Sequence, residues 1–404
     1  MKDFDKKAKA YALKNAIHYN GKANSGAVIS GLFAEGLKKE DVKKYAKEIN
    51  EVVNSVNKLS LEEQEKEYEK LRELVSERET REGLEELPDV PKKGVIMRFR
   101  PAPSGPLHVG HIISSMISSL YVKKYGGKFY IIVDDTDPAT TRKEAYANIK
   151  RDFDWIFGNV SEYINSSDRM KLYYDYINKL LKKNASYICT CSSEKFKEFS
   201  ELKENCPCRN NDLKENLYRW EKMLSKKPKE NYKPGEAVLR FKSELGMQNP
   251  NPAMRDFPLA RINETEHSKQ KKKYRVWPLM NLVVAVDDIE LGMTHIIRGK
   301  DHMDNAKRQK MIFDLFNKKF PWTYFMGRIK FKDLILSKRK LNALIDSGEF
   351  SGDDDEKIPT IASLRKRGYK PEAFAKFAEQ RGLTEVDKVI DSKEFFSIID
   401  NFNK

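Results

Sequence analysis

A short apolar run, Gly94 to Phe99, leads into Pro101-Ala102-Pro103-Ser104-Gly105-Pro106-Leu107-His108-Val109-Gly110-His111, and then into an apolar-periodic segment, Ile112 to Tyr125. The run reads as a strand over Val95–Phe99, and the periodic segment as a helix over Gly110–Tyr125. A Pro/Gly-rich turn therefore delivers two histidines to the first turn of a helix at the end of a strand. In an α/β sheet that is where a phosphate-bearing ligand binds, because free backbone N–H groups and the helix dipole both point there.

The alternation continues. A Gly126-Gly127 turn precedes a strand-like Lys128–Val133, then Asp134-Asp135-Thr136-Asp137-Pro138, then a helix from about Lys143. This βαβ start predicts an α/β fold with a Rossmann-like, doubly wound parallel sheet. Residues 185–274 differ in texture. They hold all four cysteines, several prolines and a strand-like Glu236–Lys242. Strand-like Asn281–Val286 and His295–Ile297 then return to the α/β style, and Asp301–Phe316 reads as a helix. The expected organisation is an N-terminal helical extension, 1–93; a first half of the sheet domain, 94–184; an insertion, 185–274; a second half, 275–325; and a tail, 326–404, with a loop carrying Leu336-Ser337-Lys338-Arg339-Lys340 before a helical region. Within the extension, helices are expected at Lys6–Tyr19, Asp41–Val56 and Leu61–Arg81. Ser60-Leu61-Glu62-Glu63 gives the last a capping-box start.

The chain has 404 residues, 39% hydrophobic and 34% charged, a globular composition. No run approaches the roughly 18 to 20 apolar residues of a membrane span. The N-terminus shows no apolar leader, so a cytoplasmic protein with no membrane partner is expected. Lys+Arg outnumber Asp+Glu by 76 to 61, a surplus of +15 that suits a polyanionic partner. Part of it clusters in Lys269-Gln270-Lys271-Lys272-Lys273-Tyr274-Arg275, Lys338-Arg339-Lys340 and Arg365-Lys366-Arg367. Such runs are more often solvated faces than binding sites, so their meaning depends on what chemistry they adjoin.

His108 and His111 are three apart and share a helix face. Imidazole donors there suit charge developing on a phosphate under attack. Gly110 leaves room for a nucleotide close to the backbone. The cysteines form two C-x-C pairs, Cys189/Cys191 and Cys206/Cys208, separated by 14 residues. A disulfide within a C-x-C pair would be strained. Four thiolates in two close pairs suit a tetrahedral structural Zn2+, and reduced core cysteines are the alternative.

Pro101–His111 resembles the HIGH signature of class I aminoacyl-tRNA synthetases, and Leu336-Ser337-Lys338-Arg339 resembles their KMSKS loop. Further segments are similar to the glutamyl/glutaminyl branch: Arg98-Phe99-Arg100-Pro101, Asp135-Thr136-Asp137-Pro138, Tyr274-Arg275-Val276-Trp277-Pro278, and His295-Ile296-Ile297-Arg298-Gly299-Lys300-Asp301-His302. The helical start, with Tyr11-Ala12-Leu13-Lys14-Asn15-Ala16 and Gly21-Lys22-Ala23-Asn24, is similar to the extension of archaeal glutamyl-tRNA synthetases. The likeness runs from about residue 5 to about residue 390.

The resemblance implies ATP-dependent ligation of glutamate to tRNA through a glutamyl-adenylate, with Mg2+ accompanying ATP. It implies catalytic roles for His108, His111 and Lys338, and ATP-binding roles for Gly110, Leu336 and Ser337. Arg98, Asp134, Met280 and Arg298 fall where the amino acid is held, and 185–274 becomes an acceptor-stem-binding insertion with a four-cysteine zinc site. Three positions depart from the family pattern. Met280 stands where a tyrosine is usual, Ile132 where an arginine is usual, and Ala102 where archaeal relatives usually have asparagine. The ATP motifs thus look intact and the amino-acid pocket altered. Archaeal relatives continue into anticodon-binding β-barrels, and no barrel-length block of strands follows Ser392-Lys393-Glu394-Phe395-Phe396 here. A separate anticodon-binding subunit is one expectation from that. Two alternatives to the glutamate ligase stay open: a barrel-less paralogue with altered amino-acid or acceptor specificity, and a non-catalytic tRNA-binding relative.

Overall fold

The computed structural model describes residues 3–75 and 83–404. The chain forms two compact units, Met1–Thr80 and Arg81–Lys404.

The first unit is helical: α1 Phe4–His18, α2 Ser25–Ala34, α3 Val42–Val56 and α4 Leu61–Leu71. The Asn24 side chain caps α2 by accepting from the Gly26 N–H at 2.8 Å, and Ser60 and Glu63 form the expected reciprocal cap of α4. Leu13, Val28, Leu32, Ile49 and Val56 are fully buried between the helices. Each such side chain contributes about 1.5–3 kcal/mol. α4 stops at Leu71 and gives way to a 3-10 turn, Arg72–Leu74. The expected continuation to Arg81 falls, beyond Val75, outside the described residues.

The second unit opens with β1 Val95–Phe99, α5 Val109–Tyr125, β2 Gly127–Val133, α6 Lys143–Phe157 and β3 Glu162–Asn165. The three strands are parallel in the order β1-β2-β3, with Phe99 opposite Ile131 and Ile132 opposite Ile164. Next come α7 Met170–Lys182, β4 Ser186–Cys189, α8 Ser193–Leu202, α9 Leu213–Leu224, β5 Val238–Phe241, β6 Pro258–Ile262 and β7 Val276–Pro278. β4 to β7 form an antiparallel sheet in chain order. The chain then returns through α10 Met280–Glu290, β8 His295–Gly299, α11 Met303–Leu315 and β9 Trp322–Met326, with β8 and β9 parallel. The Thr294 N–H donates to the Ile96 carbonyl at 3.0 Å, so β8 lies against β1. The parallel strands therefore run β3-β2-β1-β8-β9, the doubly wound arrangement expected, and the switch between halves falls at β1 and β8.

One face of this sheet packs Val95, Met97, Phe129 and Ile131 on Ile112 and Met116 of α5. The other carries Tyr130, Ile132, Ile164 and Ile296. The tail consists of β10 Ile329–Phe331, α12 Lys338–Asp346, α13 Ile361–Lys366, α14 Pro371–Arg381, β11 Lys388–Ile390 and α15 Ser392–Asn403. Its Ile361, Phe374 and Phe395 join the core of the first face.

The strand expected at Asn281–Val286 is instead the body of α10. Asn281 to Asp288 is buried on every side. A run that is apolar all round carries no period to separate a helix from a strand, and its β-branched valines bias the reading towards a strand. The segment expected to be a loop at Leu336–Lys340 is in part helical: Ser337 caps α12, accepting from the Lys340 N–H at 3.5 Å, and Lys338 begins the helix.

Candidate active site and cysteine centre

His108 is the N-cap of α5. Its Nδ1 accepts from the Gly110 N–H at 3.2 Å, and the His108 N–H donates to Nδ1 of His111 at 3.1 Å. The rings lie with centroids 3.9 Å apart, tilted by 49°. His108 Nδ1 is thus an acceptor, which places the proton of its neutral ring on Nε2, while His111 Nδ1 also lies 3.3 Å from the His108 carbonyl. Burial, with the Lys338 charge second, pulls His108 down to about 3. Burial, then His108 and Lys338, holds His111 well below the usual imidazole range. The pair is a set of two neutral N–H donors at a helix N-terminus.

His108, Gly110, His111 and Arg298 line one cleft of about 230 Å³ together with Arg328 and Arg381. A Cβ on Gly110 would meet the His108 ring at 3.0 Å and Leu336 Cδ1 at 3.6 Å, so the glycine leaves room for the imidazole as well as for a ligand. The tail closes over the motif. The Val109 N–H donates to the Pro359 carbonyl, and the Ile361 N–H to the Leu107 carbonyl, each at 2.9 Å. Lys338 Nζ donates to the Ala102 carbonyl at 2.7 Å, and Asn342 Nδ2 to the Ser104 carbonyl at 2.7 Å. Gly105, at φ +150°, permits this approach, since a Cβ there would lie 2.5 Å from Asn342 Oδ1. Burial lowers the Lys338 ammonium to about 8.

Beside the cleft lies a buried charge cluster. Arg98 grips Asp288 with Nε at 2.5 Å and Nη2 at 2.7 Å. Asp287 accepts from Arg100 Nη1 at 2.7 Å, Arg169 Nε at 2.8 Å and the Tyr173 hydroxyl at 2.9 Å. Arg298 differs. Its Nη1 donates to Gln309 Oε1 at 2.8 Å, and its Nε has no partner among the described residues. Burial, then the neighbouring Arg98 charge, lowers Arg298 to about 9. Asp134 ends β2 with its N–H on the Pro101 carbonyl at 2.9 Å and its carboxylate half-buried. Met280 opens α10, half-buried, one residue before Asn281, whose Oδ1 accepts from Gln309 Nε2 at 3.3 Å. Ile132 is fully buried in the apolar face.

The structure thus brings His108, Gly110, His111, Leu336 and Lys338 together, and sets Arg98, Asp134 and Arg298 around one buried cluster. Sequence reasoning missed Arg100, Asn342, Gln309, Arg328 and Arg381. Alternation with Arg98 was a signal for Arg100. Arg381, from α14, gave none.

The cysteines converge separately, at the end of β4 and the start of α9's leading turn. Cys189 and Cys206 sulfurs are 3.8 Å apart, Cys191 and Cys208 3.9 Å, and all four lie within 4.8 Å of one another. A tetrahedral ion with bonds of ~2.3 Å requires sulfurs roughly 3.8 Å apart. Burial and the adjoining thiols push Cys191 up to about 12. Thiols packed this closely ionise when a cation shares their charge. Arg219 Nη1 donates to Cys208 Sγ at 3.4 Å, an outer contact that orients the sulfur.

A strand-to-helix turn carrying two imidazoles, faced by a lysine on a docked helix, sits at the switch point of a doubly wound sheet, where class I nucleotide-binding enzymes bind phosphate-bearing ligands. Residues 94–401 match the catalytic domain of the tRNA synthetases class I (E and Q), and the chain belongs to that family. It is 40% identical over 388 residues to the glutamate–tRNA ligase of Methanocaldococcus jannaschii, covering 96% of this chain and 68% of that enzyme. It is 42% identical over 395 residues to the glutamate–tRNA ligase of Thermococcus kodakarensis, covering 94% and 67%. Among solved structures, a glutamate tRNA ligase from Elizabethkingia meningosepticum in complex with its amino acid shares the fold. The TM-score is 0.50 at 18% identity, over 75% of this chain and 68% of that one. Among the described residues no helix is long and apolar enough to cross a membrane.

Proposed function

We propose that this protein ligates glutamate to tRNA in two ATP-dependent steps. The observation that carries the reading is Arg298, a half-buried guanidinium that makes no ion pair among the described residues. Arg98, Arg100, Arg169 and Arg298 meet Asp134, Asp287 and Asp288, while Asp301 is matched by Arg328. Arg298 is the guanidinium of this group that no carboxylate engages among the described residues, and Arg381 adds a further cation to the cleft. Glutamate brings a side-chain carboxylate to it. Glutamine has no net charge and leaves that cation uncompensated, which is costly.

In the first step the glutamate α-carboxylate attacks the α-phosphate and pyrophosphate leaves. His108 and His111 offer Nε2–H to the phosphate oxygens, and Lys338 exchanges the Ala102 carbonyl for the departing phosphates. Ser337 holds Lys338 at the helix start, while Gly110 and Leu336 shape the nucleotide side of the cleft. Arg298, with Arg98 behind it, receives a carboxylate, Asp134 the α-ammonium, and Met280 walls the pocket. The residues lining the cleft include no carboxylate to hold Mg2+, so the ion would be carried by the triphosphate and would offset its charge. In the second step the terminal ribose hydroxyl of tRNA takes the acyl group and AMP leaves.

We read 94–184 and 275–325 as the two halves of the catalytic domain. Residues 185–274 are the acceptor-stem insertion stabilised by zinc on Cys189, Cys191, Cys206 and Cys208, residues 1–93 the helical extension, and 326–404 the KMSKS-like segment with its helices. Lys271, Lys272 and Lys273 of the basic run are exposed and suit tRNA phosphates, whereas Arg275 is buried on Glu264. The test is aminoacylation of total tRNA with each amino acid, with and without an anticodon-binding β-barrel protein added. Charging with glutamate is expected. Charging with another amino acid, or with none under both conditions, would overturn the reading.

A further inference from the structure

Tyr130 and Ile132 share one face of β2 with Asp134 just past its end, and Arg98 lies on β1 with Arg100 just past its end. Arg100 lies one residue beyond the Phe99–Ile131 pair and so beside Ile132. The β2 side chain there is wholly apolar, and the cation stands one strand over. The Arg100 side chain is only 7% exposed. Nη1 donates to Asp287, and Nη2 to Ser166 Oγ at 3.0 Å. Nη2 also lies 3.8 Å from Asp134 Oδ1.

These two acidic neighbours depend on Arg100 very differently. Asp287 keeps Arg169 and the Tyr173 hydroxyl if Arg100 is removed. Asp134 has no other ion-pair partner among the described residues, and its carboxylate is the one turned towards open space, at 26% exposure. A carboxylate at a strand end is free to turn about its side-chain torsions. A guanidinium pinned by Asp287 and Ser166 removes that freedom on one side.

We propose that Arg100 is a positioning residue for the amino acid, holding the Asp134 carboxylate in the orientation that receives the substrate α-ammonium. This rests on the reading of Asp134 as the ammonium-binding group. Preorganisation of a binding group by a buried neighbour acts on affinity for the part of the substrate that group touches, and on nothing else. The loss on removing Arg100 should therefore follow the ammonium.

The experiment compares wild type, R100Q and R100K in glutamate charging of tRNA, with glutarate, which is glutamate without its ammonium, as competing ligand. In R100Q the glutamate KM is expected to rise about tenfold while the ATP KM and the glutarate inhibition constant stay within about twofold. R100K, which keeps the charge but not the fork, should fall between. If R100Q does not fold by circular dichroism, R100K moves the same glutamate-to-glutarate ratio in the same direction. An unchanged glutamate KM in a folded variant, or glutamate and glutarate weakening together, would overturn the proposal. Failure of the wild type to charge glutamate would instead remove the functional reading beneath it.

Discussion

Lys338 donates a hydrogen bond to the Ala102 carbonyl across 2.7 Å, tying the first turn of α12 to the turn that precedes α5. The ammonium is buried there, and burial lowers it from 10.5 to about 8. In the unfolded chain the same amine holds its proton up to the ordinary value. The folded state is therefore penalised below about pH 8, and the penalty fades as pH rises towards 10.5. K338M is expected to abolish charging yet stabilise the protein at pH 7 by about 1–3 kcal/mol, with the gain vanishing near pH 10.5. Thermal unfolding of both proteins across this range checks it. A lower melting temperature for K338M at pH 7 would contradict it.

The histidines obey the opposite pH logic. Both are neutral when folded and lie below their ordinary value of 6.5. Their stabilising contribution is complete above about 6.5 and is lost as pH falls, because the unfolded chain takes up protons first. Glutamate charging should show no inflection near 6.5 from these rings. H111A is expected to lower kcat by about 10²–10³ with little change in glutamate KM. A urea titration at pH 5 should find wild type weakened relative to pH 7, and the double variant H108Q/H111Q weakened less. A kcat that titrates near 6.5 and is flattened in H111Q would show a charged imidazole instead.

The strand, turn and helix around His108 were legible in the sequence because each step has local chemistry: a β-branched run, glycines and prolines in the turn, and an apolar period in the helix. The four cysteines were legible by spacing. The α10 segment was not, since Leu282 to Val286 is buried all round and has no face to betray its period. β10 and β11 were missed because each is three residues long and they pair across more than fifty residues. That Lys338 belongs with the His108 turn was implied only by resemblance, and its hydrogen bond to the Ala102 carbonyl was not foreseen. Asn342 on Ser104 shows why: a single polar side chain meeting a distant carbonyl leaves no pattern in sequence. The removal of polar groups at Ala102, Ile132 and Met280 read as an altered pocket. The buried guanidinium of Arg100 beside Ile132 was invisible until the strand register was known.

Arg298 gives a prediction about selectivity. Its Nε lacks a partner among the described residues and Arg98 crowds it, so it gains most from an incoming carboxylate. R298Q should lower kcat/KM for glutamate by about a hundredfold or more, since a charge-assisted bidentate contact is lost. Any residual charging with glutamine should change far less, so the ratio between the two amino acids collapses. Parallel charging assays with both decide the matter. A variant that keeps its preference for glutamate would place the discriminating cation elsewhere in the cluster.

The cysteine centre makes a claim that separates the two ends of the second unit. Cys189 belongs to β4 and Cys206 and Cys208 lie beside the start of α9, whereas His108 caps α5 on the parallel sheet. Zinc should therefore be needed for the insertion and not for the nucleotide cleft. Protein purified without chelator is expected to hold one zinc per chain by elemental analysis. C208S should lose the metal and lower the melting temperature, because the three remaining thiols no longer complete a tetrahedral ligand set. Acceptor-stem affinity should fall while ATP binding, followed by calorimetry, is retained. Metal-free protein with an unchanged melting curve would leave the four sulfurs as packed, reduced thiols.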